Sequence, residues 1–142
     1  MEDQKNTPPK ITREIAEKEV NKWLDSKKIS QPRREALSDS IEKLIDCVVS
    51  GELVLNNADY TWDHHLLFPI GENNQIKKLT YKNRLNSSDI QKRLQGLKSG
   101  DANGMVDAYI CALTNEPLNF ITKMDTEDAG VARIIVVFFM RG

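Results

Sequence analysis

Two adjacent histidines, His64 and His65, follow Asp59 and Asp63, and imidazole beside carboxylate is the pairing that binds metals or relays protons. The spacing works against both uses. Neighbouring side chains on a strand point to opposite faces, so the two imidazoles converge on one ion only if Asp59 or Asp63 folds back. The sequence holds no His-x-x-x-His and no Cys-x-x-Cys. One histidine is therefore expected at a sheet edge and the other against the core. Cys47 and Cys111 each sit inside an apolar helical run with no base beside them to lower the thiol pKa, so both read as small buried hydrophobes of a reducing compartment. There is no Gly-x-Ser-x-Gly elbow, and the 7 glycines never gather into a phosphate-cradling loop. Asp125, Glu127 and Asp128 read as helix-start chemistry. No catalytic residue, metal site or cofactor is expected, which makes the chain a non-enzyme.

Charge points in the same direction. Over 142 residues, 20 Lys and Arg against 21 Asp and Glu leave a formal charge of -1, so the chain as a whole exerts no long-range pull on nucleic acid or an anionic membrane. The distribution is uneven, however. Residues 76–100 carry Lys77, Lys78, Lys82, Arg84, Lys92, Arg93 and Lys98 against Asp89 alone, between acidic stretches. This segment could face an acidic partner or be a solvated face that complements its own neighbours. Tyr81 is its only aromatic residue, whereas single-strand grooves interleave bases with several stacking rings, so nucleic acid is not the expected partner. The longest apolar run, Ile134 to Met140, is far short of the roughly 20 residues a membrane helix needs. No apolar leader follows the polar start, so neither a membrane span nor secretion is expected.

The elements that would position these residues follow from periodicity. Residues 1–10, with Pro8-Pro9, read as a disordered arm, and residues 11–142 as a single domain. Ile15, Ala16, Val20, Trp23 and Leu24 recur at helical spacing. Ser30-Gln31-Pro32 then supplies a cap and an N-terminal proline, and a second helix continues through Leu37, Ile41, Leu44, Ile45 and Val48 until Gly51. Residues 11–50 thus predict an antiparallel helical hairpin. Tyr60, Trp62, His64, Leu66 and Phe68 alternate as one face of a strand. Gly71-Glu72-Asn73-Asn74 is turn chemistry, and Ile76, Leu79 and Tyr81 make the return, a small antiparallel β-hairpin to which Leu53-Val-Leu55 could add a strand. Three to four helices follow: one from Asn86-Ser87-Ser88-Asp89 to near Gly100, one through Met105 to Leu113, a turn after Pro117, and a last helix from 126 to about 140 capped by Asp125. The fold class is α+β, mostly helical. The last helix is apolar on nearly every side, so it lies at the centre of the fold or needs another chain to cover it.

From about residue 66 to 140 the order of features resembles the phage tail assembly chaperone family of long-tailed phages. The matching pieces are Leu66-Leu-Phe-Pro69-Ile before a polar turn, Lys78-Leu-Thr-Tyr-Lys82, and a helix start at Asn86-Ser-Ser-Asp89-Ile90. Ala108-Tyr-Ile-Cys-Ala-Leu-Thr114 follows with Pro117 close behind, then Ile121-Thr-Lys-Met-Asp125, Asp128 and Val136-Val-Phe138. The chain departs from the family's pattern in the helices of 11–50 and at Leu85, where a proline often sits. The resemblance implies a factor of the host cytoplasm that makes and breaks no bonds. It would hold a tape measure protein soluble during tail assembly, with the tail tube protein and a second copy of the chain as further candidate partners. A structural virion component and a small nucleic-acid-binding regulator acting through Lys77 to Lys98 are the alternatives. A holdase for a long helical chain needs apolar grooves between helices, and the residues expected to supply one are Ile15, Val20, Trp23 and Leu24 on the first helix and Ile134, Val137 and Phe138 on the last. The competing expectation is that these two stripes pack on each other.

Overall fold

Residues 10–140 are described by a computed structural model; the expected arm at 1–10 lies, but for Lys10, outside them. Helix α1 (Arg13–Ser26) starts where the Thr12 hydroxyl accepts the Ile15 N–H at 3.2 Å. It ends in a turn in which the Ile29 N–H returns to the Leu24 carbonyl and Lys28 takes a left-handed φ of 57°. The Ser30 hydroxyl caps α2 (Gln31–Ala36), with Pro32 in its first turn. Where periodicity predicts one helix to Gly51, the chain breaks at Leu37 (φ -101°, ψ 17°) and resumes as α3 (Ser38–Ser50), whose first residues, Ser38-Asp39-Ser40, favour helix starts over helix interiors. Gly51, at φ 87°, ends it. The Ile11 N–H reaches the Val49 carbonyl, and Arg13 of α1 pairs with Glu42 and Asp46 of α3, so the two helices run antiparallel as the sequence predicts.

Strands β1 (Leu53–Asn56), β2 (Thr61–Ile70) and β3 (Ile76–Tyr81) form one antiparallel sheet in that order, so the third strand is real and β2 is central. Trp62 faces Leu55 on one side and Tyr81 on the other, and His64 faces Leu53 and Leu79, which sets these six residues on one inward face. The alternation does not survive the whole strand. A bulge between His65 and Ile70 shifts the register, and Phe68, expected beside Leu66 in the core, turns out to solvent.

Four helices follow among the described residues: α4 (Ser87–Leu94), α5 (Ala102–Thr114), the single turn α6 (Leu118–Ile121) and α7 (Thr126–Val136). The fold is α+β. The Lys82 N–H donates to the Leu113 carbonyl at 3.0 Å, which ties the end of β3 to the end of α5. Helix α7 stops at Val136 rather than near 140. Phe138 and Phe139 donate to carbonyls only three residues back, and the Arg33 guanidinium donates to the Phe138 carbonyl at 3.1 Å, so the tail of the apolar run becomes a tight turn pinned to α2. Val131, Ala132, Ile135 and Val136 are buried against α3, α5 and β2, which resolves the two possibilities for this helix: it lies inside the fold.

Trp23 stands where α1 meets the turn after α7. Its ring is 5.2 Å from Phe138, edge-on at 83°, 5.7 Å from Trp62 and 6.3 Å from Phe139. Truncation there leaves a cavity, so Phe138→Ala is expected to cost about 3–5 kcal/mol in urea unfolding, and a loss below about 1 kcal/mol would place that ring outside the core. A second substitution should do the opposite. Lys28 holds a left-handed backbone that costs a side-chain-bearing residue about 1 kcal/mol, so Lys28→Gly should raise stability by about 0.5–1 kcal/mol and lift the melting temperature.

Candidate functional site

The seven residues expected to hold a partner do not form a surface. Val20, Trp23 and Leu24 are buried, Phe138 is 2% exposed, and Ile134 and Val137 are half-buried against the same core. The α1 stripe and the end of the last apolar run cover each other through the Trp23–Phe138 contact, so the groove expected between them is already filled by the chain itself. Only Ile15 remains open, 48% exposed.

Other apolar side chains take its place at the surface. Leu67 and Phe68 are 45% and 54% exposed, adjacent in sequence, and displayed by the bulge of β2. Their backbone is held from below by Asp128, whose two carboxylate oxygens accept the Leu67 N–H at 2.9 Å and the Phe68 N–H at 3.0 Å. Asp128 stands in the first turn of α7, where the helix dipole favours a negative charge, while Asp125 performs the expected capping by accepting the Glu127 N–H at 2.9 Å. The bulge is therefore an anchored feature: two donors that would be orphaned where the ladder slips are satisfied by one carboxylate.

His64 completes the cluster. Its Nδ1 lies 2.9 Å from the Tyr81 hydroxyl and its Nε2 3.6 Å from Asp128, too long for a hydrogen bond, so the contact to Asp128 becomes ionic only when the imidazole is protonated. The sequence expectation of an edge histidine is corrected here. β2 is the central strand, so both histidines lie away from the sheet edges, with His64 fully buried and His65 on the opposite, half-buried side. Asp59 and Asp63 stay apart from His64: Asp59 turns back to the Thr61 N–H and hydroxyl, and Asp63 accepts from Thr80 at 2.8 Å with Lys78 3.6 Å away.

An imidazole between a phenol and a carboxylate has the composition of a proton relay, but His64, Tyr81 and Asp128 are all fully buried, so the trio can pin strands and helix and cannot meet a substrate. Burial pushes the Tyr81 phenol well above its ordinary range, with the Asp128 charge adding to the shift. For Asp128, burial favours the neutral acid, but the His64 ring and the two backbone N–H donors outweigh it and hold the carboxyl below its usual value. The cysteines are also buried; burial, then Glu52 and Asp46, push the Cys47 thiol up to about 12, and burial raises Cys111. Among the described residues no three His, Cys, Asp or Glu side chains are placed to share a metal, and no helix is long and apolar enough to cross a membrane.

The role of Asp128 was missed in the sequence although a signal was present. Asp128, Val131, Ala132 and Ile135 recur at helical spacing on the inward stripe of α7, and a carboxylate on an apolar stripe demands buried donors. No protein-family model, curated protein or solved structure matches the chain.

Asp128→Asn keeps the shape but removes the charge, and turns an amide NH2 toward two N–H donors, so it is expected to cost about 2–3 kcal/mol at neutral pH. The sign of its pH dependence follows from the lowered carboxyl. The stabilisation is complete above the ordinary Asp value near 4 and disappears as pH falls through the native value below it, so wild type and Asp128→Asn should converge in acid. Urea unfolding across pH 2–7 reads both effects, and a constant gap between the proteins would refute the assignment.

Proposed function

We propose that the chain is a non-enzymatic protein-binding factor, a phage tail assembly chaperone that keeps a tape measure protein soluble in the host cytoplasm. One observation carries this reading. Two of the segments that bear the resemblance, Leu66–Ile70 and Asp125–Asp128, lie about sixty residues apart in sequence, and Asp128 joins them by taking the Leu67 and Phe68 N–H groups. What the joint displays is two neighbouring large apolar side chains on a rigid base.

Pinned apolar anchors suit a holdase for a helical client. An amphipathic helix is captured through a few side chains spaced along its apolar stripe, and anchors whose backbone is already fixed lose little entropy on binding. The contact area would centre on Leu67 and Phe68 rather than on Val20, Trp23, Leu24 and Phe138, which serve the core. Ile15 and Leu118 are further exposed apolar positions, on α1 and at the start of α6.

The test is co-expression with the tape measure protein encoded by the same genome. Wild type should keep the client soluble and co-purify with it. The double variant Leu67→Ser/Phe68→Ser should bind about tenfold more weakly, the loss typical of truncating interface anchors, with its melting temperature within a few degrees of wild type. Failure of the wild type to rescue or retain the client would overturn the reading. Rescue untouched by the double variant would move the contact elsewhere.

A further inference from the structure

The turn that ends α1 does more than reverse the chain. Its left-handed Lys28 and buried Ile29 bring two consecutive lysines, Lys27 and Lys28, into the wall of a cleft of about 490 Å³. The cleft lies between this turn, the first turn of α2, the loop from β3 to α4 and the turn after α7. Arg33 and Arg84 complete a set of four cations in its wall, and no Asp or Glu is among its described lining residues.

Some bases of the chain are neutralised by a nearby acid. Arg13, Lys22, Arg34 and Lys78 each have a carboxylate within 4.0 Å. Among the described residues, no such ion pair involves Lys27, Lys28, Arg33 or Arg84. What sets these four apart is that they line one concavity together, with no carboxylate among its described lining residues.

Lys27 is the costly member. It is only 7% exposed, its Nζ donates to the Asn83 carbonyl at 2.8 Å and stands 3.6 Å over the Phe139 ring, and an ammonium carries three donors. Removing such a charge from water without a counter-charge opposes folding. Burial, then the positive charges of Arg84 and Arg33, lower the Lys27 ammonium to about 7, a repulsion that a bound anion would relieve.

The opening of α4 adds donors of another kind. Asn86 and Ser87 line the cleft, and the capping box takes the N–H groups of Asn86 and Asp89, which leaves those of Ser87 and Ser88 as the donors of the first turn. Asp89, whose carboxylate takes the Asn86 N–H at 3.0 Å, lines a separate cleft with Lys82, Lys92 and Arg93. Guanidinium forks, ammonium groups and helix-start amides together match an anion with several oxygens and more than one charge, which is a phosphate rather than a single carboxylate. The volume exceeds what a phosphate alone needs and falls in the usual range for small-molecule sites. Tyr109 and Phe139 supply aromatic wall for the remainder.

We infer that this cleft binds a phosphate-bearing small organic molecule, its phosphate held among Lys27, Lys28, Arg33 and Arg84 and its organic part against Tyr109 and Phe139. The site shares no residue with Leu67 and Phe68, so it stands or falls apart from the proposed client contact.

Calorimetric titration of the full chain at fixed ionic strength with ADP, inorganic phosphate and an oligoglutamate peptide tests the site. ADP should bind saturably, one per chain, and at least about fivefold tighter than inorganic phosphate. Arg84→Gln and Lys28→Gly should each weaken ADP about tenfold, as the loss of one charged hydrogen-bonding partner does, while Lys92→Gln, a base on α4 outside the cleft, should change it less than about twofold. Because Lys28→Gly relaxes the backbone, its melting temperature should be no lower than wild type, so lost binding is not lost folding. Absence of saturable ADP binding, an equal loss in Lys92→Gln, or equally tight oligoglutamate would overturn the phosphate site; inorganic phosphate binding as tightly as ADP would overturn the organic half.

Discussion

A carboxylate sealed from water stays charged only where donors replace the lost hydration, and two backbone N–H groups do so for Asp128, with the His64 ring beside it. Much of the sheet depends on that arrangement. The two N–H groups belong to consecutive residues, which a regular strand would send to opposite edges, so Asp128 is compatible only with a bulged β2. The bulge in turn decides which side chains of the strand are inside: Trp62, His64 and Leu66 before it and Ile70 after it, with Leu67 and Phe68 outside. Because Asp128 is carried by α7, the same contact sets the helix against the sheet.

The second constraint is mutual coverage. Helix α1 lays its apolar stripe on α3 and β1, and Trp23 near its end is also covered by Phe138 and Phe139 from the turn after α7. This packing is not without cost, since the indole N–H groups of Trp23 and Trp62 are buried with no acceptor. The apolar area of two indoles outweighs those lost hydrogen bonds, as aromatic burial generally does. The same meeting of α1 with the turn after α7 creates the cationic cleft. Lys27 comes from the end of α1, Arg33 from α2 and Arg84 from the loop after β3, and the turn after α7 closes the cleft with Phe139.

Local rules made much of this legible in the sequence. Caps at Ser30 and Asp125, the stop at Gly51, the alternation from Trp62 to Leu66 and the helical stripes each depend on residues within a few positions of one another, and each is found where the pattern puts it. Apart from the break at Leu37, whose signal in Ser38-Asp39-Ser40 is local, the failures are long-range. Phe68 follows the period-two pattern perfectly, and nothing near it announces a slip caused by a carboxylate 60 residues away. Apolar stripes on Val20, Trp23, Leu24 and Phe138 declare that they will be covered but not by what, so a partner and an intramolecular neighbour look the same. The basic stretch of 76–100 was visible, yet three of the four cleft cations lie in 1–50, where ten bases and ten acids cancel on paper. Net charge by segment hides a concavity assembled from three segments.

The bond from Arg33 to the Phe138 carbonyl spans 105 residues. During synthesis, at roughly 5–20 residues per second, α3 and β1 reach α1 early, while Trp23 waits several seconds more for Phe138. The early chain spends that interval with α1 and α3 packed on each other and one indole face of Trp23 not yet covered. A ribosome that stalls before residue 138 would hold a nascent chain whose Trp23 has Trp62 beside it but lacks its edge-on cover from Phe138.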